Sequence, residues 1–326
     1  MKKILIIRLS SLGDIVHNYP MLYDIKSKIK DCQVDWLVDA NFVDLIKLNN
    51  LVDGIIPIPL RIWKKNKLKI FYYFFKWYKY IKNKNRQYDY IIDSHGMLKS
   101  SILTIFFNGP KFGYDVKSIK EKISILFYKN RYRVDKNYLV TTKNRILAQK
   151  IFNYDVDLKK IDFGIEKEKF PILDFTNKIK YIIFFNATSK DSKKYPINNW
   201  LKIAQYLINK YNFTIVIPFG NKNEQNEAQE ISKNILKKNN ILIPNKILSY
   251  FELHCLINNA EFVFGVDTGL VHLANAFNKK LIAIFTDTNP NLTGVFESSF
   301  AKNIGNVGII PSVEQIINLF ENIIKI

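Results

Sequence analysis

Residues 262–285 read FVFGVDTGLVHLANAFNKKLIAIF. An apolar run, 262–266, stops at Asp267-Thr268-Gly269. A segment rich in small residues, 270–277, follows, and a second apolar run occupies 281–285. Strand, tight turn, helix, strand is the pattern this spells. The turn puts Thr268, Gly269 and the next backbone N–H groups at a helix N-terminus. Unpaired donors and the positive end of the helix dipole favour a phosphate there. His272, five residues after Asp267, falls about one turn past Thr268 and leans toward the same seat. The stretch equally fits an ordinary βαβ turn, with Asp267 as N-cap and His272 as a satisfied histidine.

The same grammar runs through the rest of the chain. Residues 3–9 form a buried first strand, 10–14 (SSLGD) a turn, and 15–29 a helix by the spacing of their apolar residues. Further strands are predicted at 34–38, 54–58 and 88–93, the last ending in Ser94-His95-Gly96. A polar, proline-containing segment, 155–180, reads as a linker between domains. A second βα series opens at 181–185, with a polar turn at 186–196, a helix at 197–210, strands at 213–218 and 241–243, and an amphipathic helix at 313–324. At 326 residues the chain exceeds one ordinary core. Strands alternating with helices imply parallel sheets, so the expected fold class is α/β. It consists of two Rossmann-like domains, 1–165 and 166–326, with the last helix expected to pack back on the first. A GxGxxG dinucleotide fingerprint is absent from the first turn.

Composition narrows the partners. The sequence holds 49 Lys and Arg against 29 Asp and Glu, a formal charge of +20, which calls for an anionic partner. Two cysteines and four histidines fall in no metal-ligand spacing, so we expect no metal, no cofactor and a reducing compartment. Arg8 cuts the first apolar run too short for a signal peptide, and no stretch is long enough to span a bilayer, so a soluble or peripheral protein is expected. The segment 61–86, RIWKKNKLKIFYYFFKWYKYIKNKNR, is unusual. As a helix it lines up Lys65, Lys69, Lys76 and Lys79 and fills the remaining surface with aromatics. Such a helix suits an anionic membrane surface. It also suits a core helix with a solvated basic face, or stacking on single-stranded nucleic acid. The nucleic-acid reading leaves the polar turns without a task, and no nucleic acid is expected.

In open parallel sheets ligands bind at the carboxyl ends of strands. The first half places Ser10, Ser11, Gly13 and Asp14 there, with Ser94 and His95. The second places Thr188, Ser189 and Lys193, with Asp267, Thr268, Gly269 and His272. Backbone donors, hydroxyls and one lysine suit a diphosphate, and the first set offers a carboxylate. Taken singly, Asp14 also fits a helix N-cap and Lys193 a solvated loop lysine.

Four segments, ILIIRLSSLGDIVHNYP (4–20), YDYIIDSHGMLKSS (88–101), ATSKDSKKYPINNW (187–200) and FVFGVDTGLVHLANAFNKKLIAIFTDTNPNLTGVF (262–296), together resemble the lipopolysaccharide heptosyltransferases, type I among them. The resemblance covers nearly the whole chain. It implies the GT-B fold, two facing Rossmann-like domains with the active site in the cleft. It further implies inverting transfer of L-glycero-D-manno-heptose from ADP-heptose to Kdo of Kdo-modified lipid A without a metal, at the cytoplasmic side of the inner membrane. Asp14 matches the family's base and Lys193 its phosphate-facing lysine. Thr188, Ser189, Thr268, Gly269 and His272 match diphosphate contacts, and Asp267 a carboxylate at the donor sugar. Glu224 fits the ribose acid, and Leu248 falls where the backbone meets adenine. The acceptor contacts implied are Ser10, Ser11 and Gly13, with Arg61, Lys64, Lys65, Lys120 and Arg145. Lysine replaces arginine at some of these, and Leu139 stands where many relatives have a histidine. Another heptose position or another nucleotide sugar remains compatible with the same fold.

Overall fold

The structure is a computed structural model that describes residues 1–60, 69–83, 86–235 and 238–326. The chain divides into two compact units, Met1–Gly164 and Ile165–Ile326. The first carries strands β1 (Lys2–Ile7), β2 (Cys32–Asp39), β3 (Gly54–Ile58), β4 (Tyr90–Asp93), β5 (Lys111–Tyr114) and β6 (Asn130–Tyr132). The second carries β7 (Tyr181–Phe185), β8 (Thr214–Val216), β9 (Ile241–Leu242), β10 (Phe262–Val266), β11 (Leu281–Phe285) and β12 (Ala301–Gly305). All strand pairs within the two sheets are parallel.

The sheet order is β3-β2-β1-β4-β5-β6 in the first unit and β12-β11-β10-β7-β8-β9 in the second. Counted from its own first strand, each unit therefore has the order 3-2-1-4-5-6 of a Rossmann sheet. The order reverses between β1 and β4, and again between β7 and β10. A crevice at such a reversal is where this kind of sheet binds ligands, because neighbouring loops there diverge to opposite faces.

Strands covered on both faces must be apolar throughout, and β7, β10 and β11 are buried at every residue. Phe262, Phe264 and Val266 point into one core layer with Ile182, Phe184, Trp200 and Phe320. Gly265 points the other way, where a Cβ would stand 2.4 Å from Val271 and 3.0 Å from the Phe185 Cβ. A glycine here lets the helix Gly269–Ala276 lie directly on the sheet.

Several expectations are revised. The last helix, Val313–Ile324, buries Ile316, Phe320 and Ile323 in the second unit's own core. The helix expected over 15–29 is two, Leu12–Val16 and Tyr19–Lys28, with Pro20 in the first turn of the second. The aromatic segment is helical over Ile70–Asn83, where Trp77 and Ile81 join the first unit's core and Trp77 Nε1 donates to the Pro57 carbonyl at 2.9 Å. Arg61, Lys64 and Lys65 lie outside the described residues.

Candidate active site

At the reversal point of the first sheet, β1 runs through Arg8 and Leu9 into the helix Leu12–Val16. Asp14 is the third residue of that helix, and its Oδ2 reaches back to accept the Ser11 N–H and hydroxyl, both at 3.1 Å. Oδ1 takes Arg8 Nη2 at 2.5 Å. Arg8 is buried, and its Nη1 donates to the Ser94 carbonyl at the end of β4, so one guanidinium ties the two loops together around Asp14. Burial alone would raise the Asp14 pKa. The charge of Arg8, the Ser11 N–H and His17 outweigh it and hold the carboxyl well below the usual range. The Asp14 side chain remains 38% exposed.

His95 completes this loop pair. Its Nδ1 accepts the Leu9 N–H at 3.3 Å, which leaves the proton of the neutral ring on Nε2. Burial, with Arg8 and Lys99 nearby, pushes its pKa down to about 3. The loop is built on Asp93, a fully buried carboxyl that accepts the His95 and Gly96 N–H groups and the Ser100 and Tyr128 hydroxyls. Ser10 accepts from Lys99 Nζ at 3.4 Å, Gly13 is buried, and Lys120 is exposed. Arg145 corrects an expectation. It is buried and bidentate to Asp24 at 2.7 and 3.2 Å, with its remaining donors on the carbonyls of Lys160 and Asp157. Its donors hold the interior of the first unit together and are spent there.

At the reversal point of the second sheet, the loops after β7 and β10 meet. Asp267 Oδ2 accepts Lys193 Nζ at 2.5 Å and Thr288 Oγ1 at 2.6 Å. Thr188 Oγ1 donates to the Asp267 carbonyl at 3.1 Å. Thr268 is the N-cap of the helix Gly269–Ala276, in extended conformation and with no side-chain capping bond, so the helix end presents its first N–H groups. His272 is buried on the same helix. The Lys193 turn is held from below, with Ser192 Oγ on Asp287 Oδ2 at 2.6 Å and Thr286 Oγ1 on the Ser192 carbonyl at 2.9 Å.

Beside this cluster lies a cavity of about 520 Å³ lined by Thr188, Ser189, Glu224, Leu248, Thr268 and Leu270, among others. Glu224 Oε2 accepts the Gly220 N–H at 2.7 Å in the first turn of the helix Lys222–Lys233, which sets its carboxylate at the wall. Leu248 precedes Ser249, whose capping box with Glu252 starts the helix Tyr250–Asn259. Thus Thr188, Ser189, Glu224, Leu248 and Thr268 share one cavity, and Asp267 and Lys193 join it through Thr188. Gly269 and His272 stand on the helix that Thr268 opens. The residues that sequence reasoning missed are Arg8, Ser192, Asp287 and Thr288. Among the described residues no cluster of three or more His, Cys, Asp or Glu side chains could hold a metal ion.

Two Rossmann-type units, each with a polar loop pair at its sheet's reversal point, define the GT-B class of glycosyltransferases. The chain belongs to glycosyltransferase family 9 (heptosyltransferase), whose model matches residues 77–315. It is 29% identical over 303 residues to lipopolysaccharide heptosyltransferase 1 of Salmonella typhimurium, covering 90% of each chain. To lipopolysaccharide heptosyltransferase 1 of Campylobacter coli it is 28% identical over 314 residues, covering 93% of this chain and 89% of the relative. Its fold matches that of E. coli heptosyltransferase WaaC with ADP at a TM-score of 0.85, with 25% identity over 98% of this chain and 99% of the other.

Proposed function

We propose that this protein transfers L-glycero-D-manno-heptose from ADP-heptose to Kdo of Kdo-modified lipid A, with inversion at the anomeric carbon. It would thereby add the first heptose of the lipopolysaccharide inner core. The observation that carries the reading is the second unit's cavity, lined by a helix end, Thr188 and Ser189, with the Asp267–Lys193 pair bonded to Thr188 at its edge. Backbone donors, hydroxyls and an ammonium are what a nucleoside diphosphate requires. A cavity of about 520 Å³ is of the size that takes a nucleotide. The names of the relatives and the ADP in the E. coli structure support the same donor.

In this reading the acceptor hydroxyl oxygen bonds to the anomeric carbon as the bond from that carbon to the β-phosphate oxygen breaks. ADP leaves with the electron pair, and the hydroxyl proton passes to Asp14 and then to water. A carboxylate with a depressed pKa is a weak base, so the proton moves late, once the attacking oxygen has become acidic. Arg8 keeps the carboxylate ionised and aimed, while Ser11 holds its second oxygen. Lys193 offsets charge growing on the departing diphosphate, and Asp267 meets heptose hydroxyls. Exposed Lys120 suits an anionic acceptor, which the protein reaches as a peripheral protein on the cytoplasmic face of the inner membrane. No described helix is long and apolar enough to cross a membrane.

The test is to incubate purified protein with ADP-heptose and Kdo-modified lipid A in the presence of EDTA. We expect the acceptor to gain the mass of one heptose with stoichiometric release of ADP. No mass gain, or transfer only from another nucleotide sugar, rejects the assignment.

A further inference from the structure

The helix Ile70–Asn83 buries Trp77 and Ile81 and turns its other side outward, where Tyr72 is 64% and Phe75 63% exposed. This is not an isolated apolar stripe. Phe106 stacks edge-on against Phe74, Trp77 and Tyr78, which fastens the 3-10 turn Ile102–Phe106 to the helix. Ile105 of that turn is 55% exposed and shares with Phe75 the wall of a groove of about 440 Å³. A second 3-10 segment, Lys122–Phe127, packs beside the first and leaves Ile123 55% and Leu126 73% exposed. Three elements distant in sequence thus present large apolar side chains on one connected surface. Exposing such a surface costs free energy in water unless it is covered in use.

The charge around it is one-sided. These three elements carry four lysines, Lys76, Lys79, Lys82 and Lys122, and no Asp or Glu. A second copy of the chain would bring lysines against lysines across a symmetric contact, which disfavours a dimer through this face. Only Tyr72 and Phe75 of this surface offer nucleic-acid bases a ring, while Ile105, Ile123 and Leu126, most of its exposed apolar residues, give them nothing to stack on. An anionic bilayer satisfies both features, since its headgroups neutralise lysines while its acyl region takes the apolar side chains.

The surface also has an address. The 3-10 turn Ile102–Phe106 continues directly from the helix Leu98–Ser101, whose Lys99 donates to Ser10 in the Asp14 loop. Lys120 and Glu121 lead into the second segment, and Glu121 accepts the Leu98 N–H at 2.7 Å. Lys99 and Lys120 are thus both near His95 of the Asp14 loop pair and both adjoin in sequence the two segments of the apolar surface. We infer that the surface of Tyr72, Phe75, Ile105, Ile123 and Leu126 inserts into an anionic bilayer and holds the acyl end of the lipid acceptor while its sugar reaches Asp14. This extends the membrane-borne acceptor proposed above and rests on it.

The decisive experiment compares the full chain with the double variant Ile105→Glu, Leu126→Glu, both positions being exposed, after circular dichroism shows the two equally folded. Each is sedimented with vesicles of phosphatidylcholine alone and of phosphatidylcholine mixed with phosphatidylglycerol. We expect the parent to bind the anionic vesicles and the double variant to bind them roughly tenfold or more weakly. We also expect transfer to a deacylated, water-soluble Kdo acceptor to be the same for both, and transfer to the acylated acceptor to fall in the variant. Equal vesicle binding by parent and variant overturns the inference, as does a parent dimer that the variant dissociates. Failure of the parent to transfer heptose to either acceptor rejects the function proposed above, and the vesicle comparison still decides this one.

Discussion

Arg8 and Asp14 act as one group. The guanidinium spends one nitrogen on the carboxylate and another on the Ser94 carbonyl, so the charge that depresses the Asp14 pKa also joins the loops of β1 and β4. Because that pKa is lowered, Asp14 stays ionised down to pH values below the ordinary carboxylate range. Its protonation should not limit turnover at any pH near neutrality. We expect Asp14→Asn to cost on the order of a hundredfold or more in kcat while ADP affinity, which the proposed function assigns to the second unit, is retained. We expect Arg8→Gln to move the acid limb of the kcat/KM profile upward, toward the range of a free carboxylate. A pH–rate comparison of parent and Arg8→Gln checks the second, and calorimetric titration with ADP checks the first. Asp14 was legible in the sequence as a carboxylate at the carboxyl end of the first strand, in a segment that resembles the heptosyltransferases, although taken alone it reads equally as a helix N-cap. Arg8 was not, since a lone arginine after four apolar residues reads as the end of a strand. Thr288 was hidden for a similar reason: its contact with Asp267 spans 21 residues of sequence and depends on the loop after β11 turning back.

Elements were read more securely than contacts. The amphipathic spacing of 313–324 predicts a helix, and Ser312 with Gln315 caps it in the structure. Spacing says which face is apolar and is silent about which sheet receives it. Phe320 supplies the answer, with its ring against Tyr211, Phe262 and Phe264 at centroid distances of 5.6, 4.9 and 5.6 Å. We expect Phe320→Ala to destabilise the second unit by about 3–5 kcal/mol, through lost burial and the cavity left behind, and to lower its thermal unfolding midpoint. Differential scanning calorimetry with and without ADP would show the transition that moves. The lysine-aromatic segment was read in three ways, as a core helix, as a membrane surface and as a platform for single-stranded nucleic acid, and the helix has one buried and one exposed side. Trp77 and Ile81 are core, while Tyr72, Phe75, Lys76 and Lys79 face outward.

Over the whole molecule, stability depends on pH through groups the active site does not use. His254 is buried between Phe170 and Phe277, with ring centroids at 5.1 and 5.3 Å, and its Nδ1 lies 2.6 Å from the Tyr250 carbonyl. Burial pushes its pKa from 6.5 down to about 4, against the opposing pull of that carbonyl. Between those values the unfolded chain binds a proton that the folded chain does not. Stability is therefore fully present above pH 6.5 and declines as pH falls toward 4. We expect a loss of roughly 2 kcal/mol from this group between pH 7 and pH 5. His254→Phe should remove most of that dependence, as read by urea unfolding at the two pH values. The apolar runs, the turn chemistry and the 3.6-residue periodicities are local, and from them the sequence by itself determined an α/β chain in two series, with polar residues waiting at strand ends. Only the tertiary structure decided that β1 lies beside β4 and β7 beside β10, that Arg145 is consumed by Asp24, and that Lys193 meets Asp267 across 74 residues. Strand order and side-chain pairing are long-range choices made by burial and charge in three dimensions, and no window along the chain contains both partners.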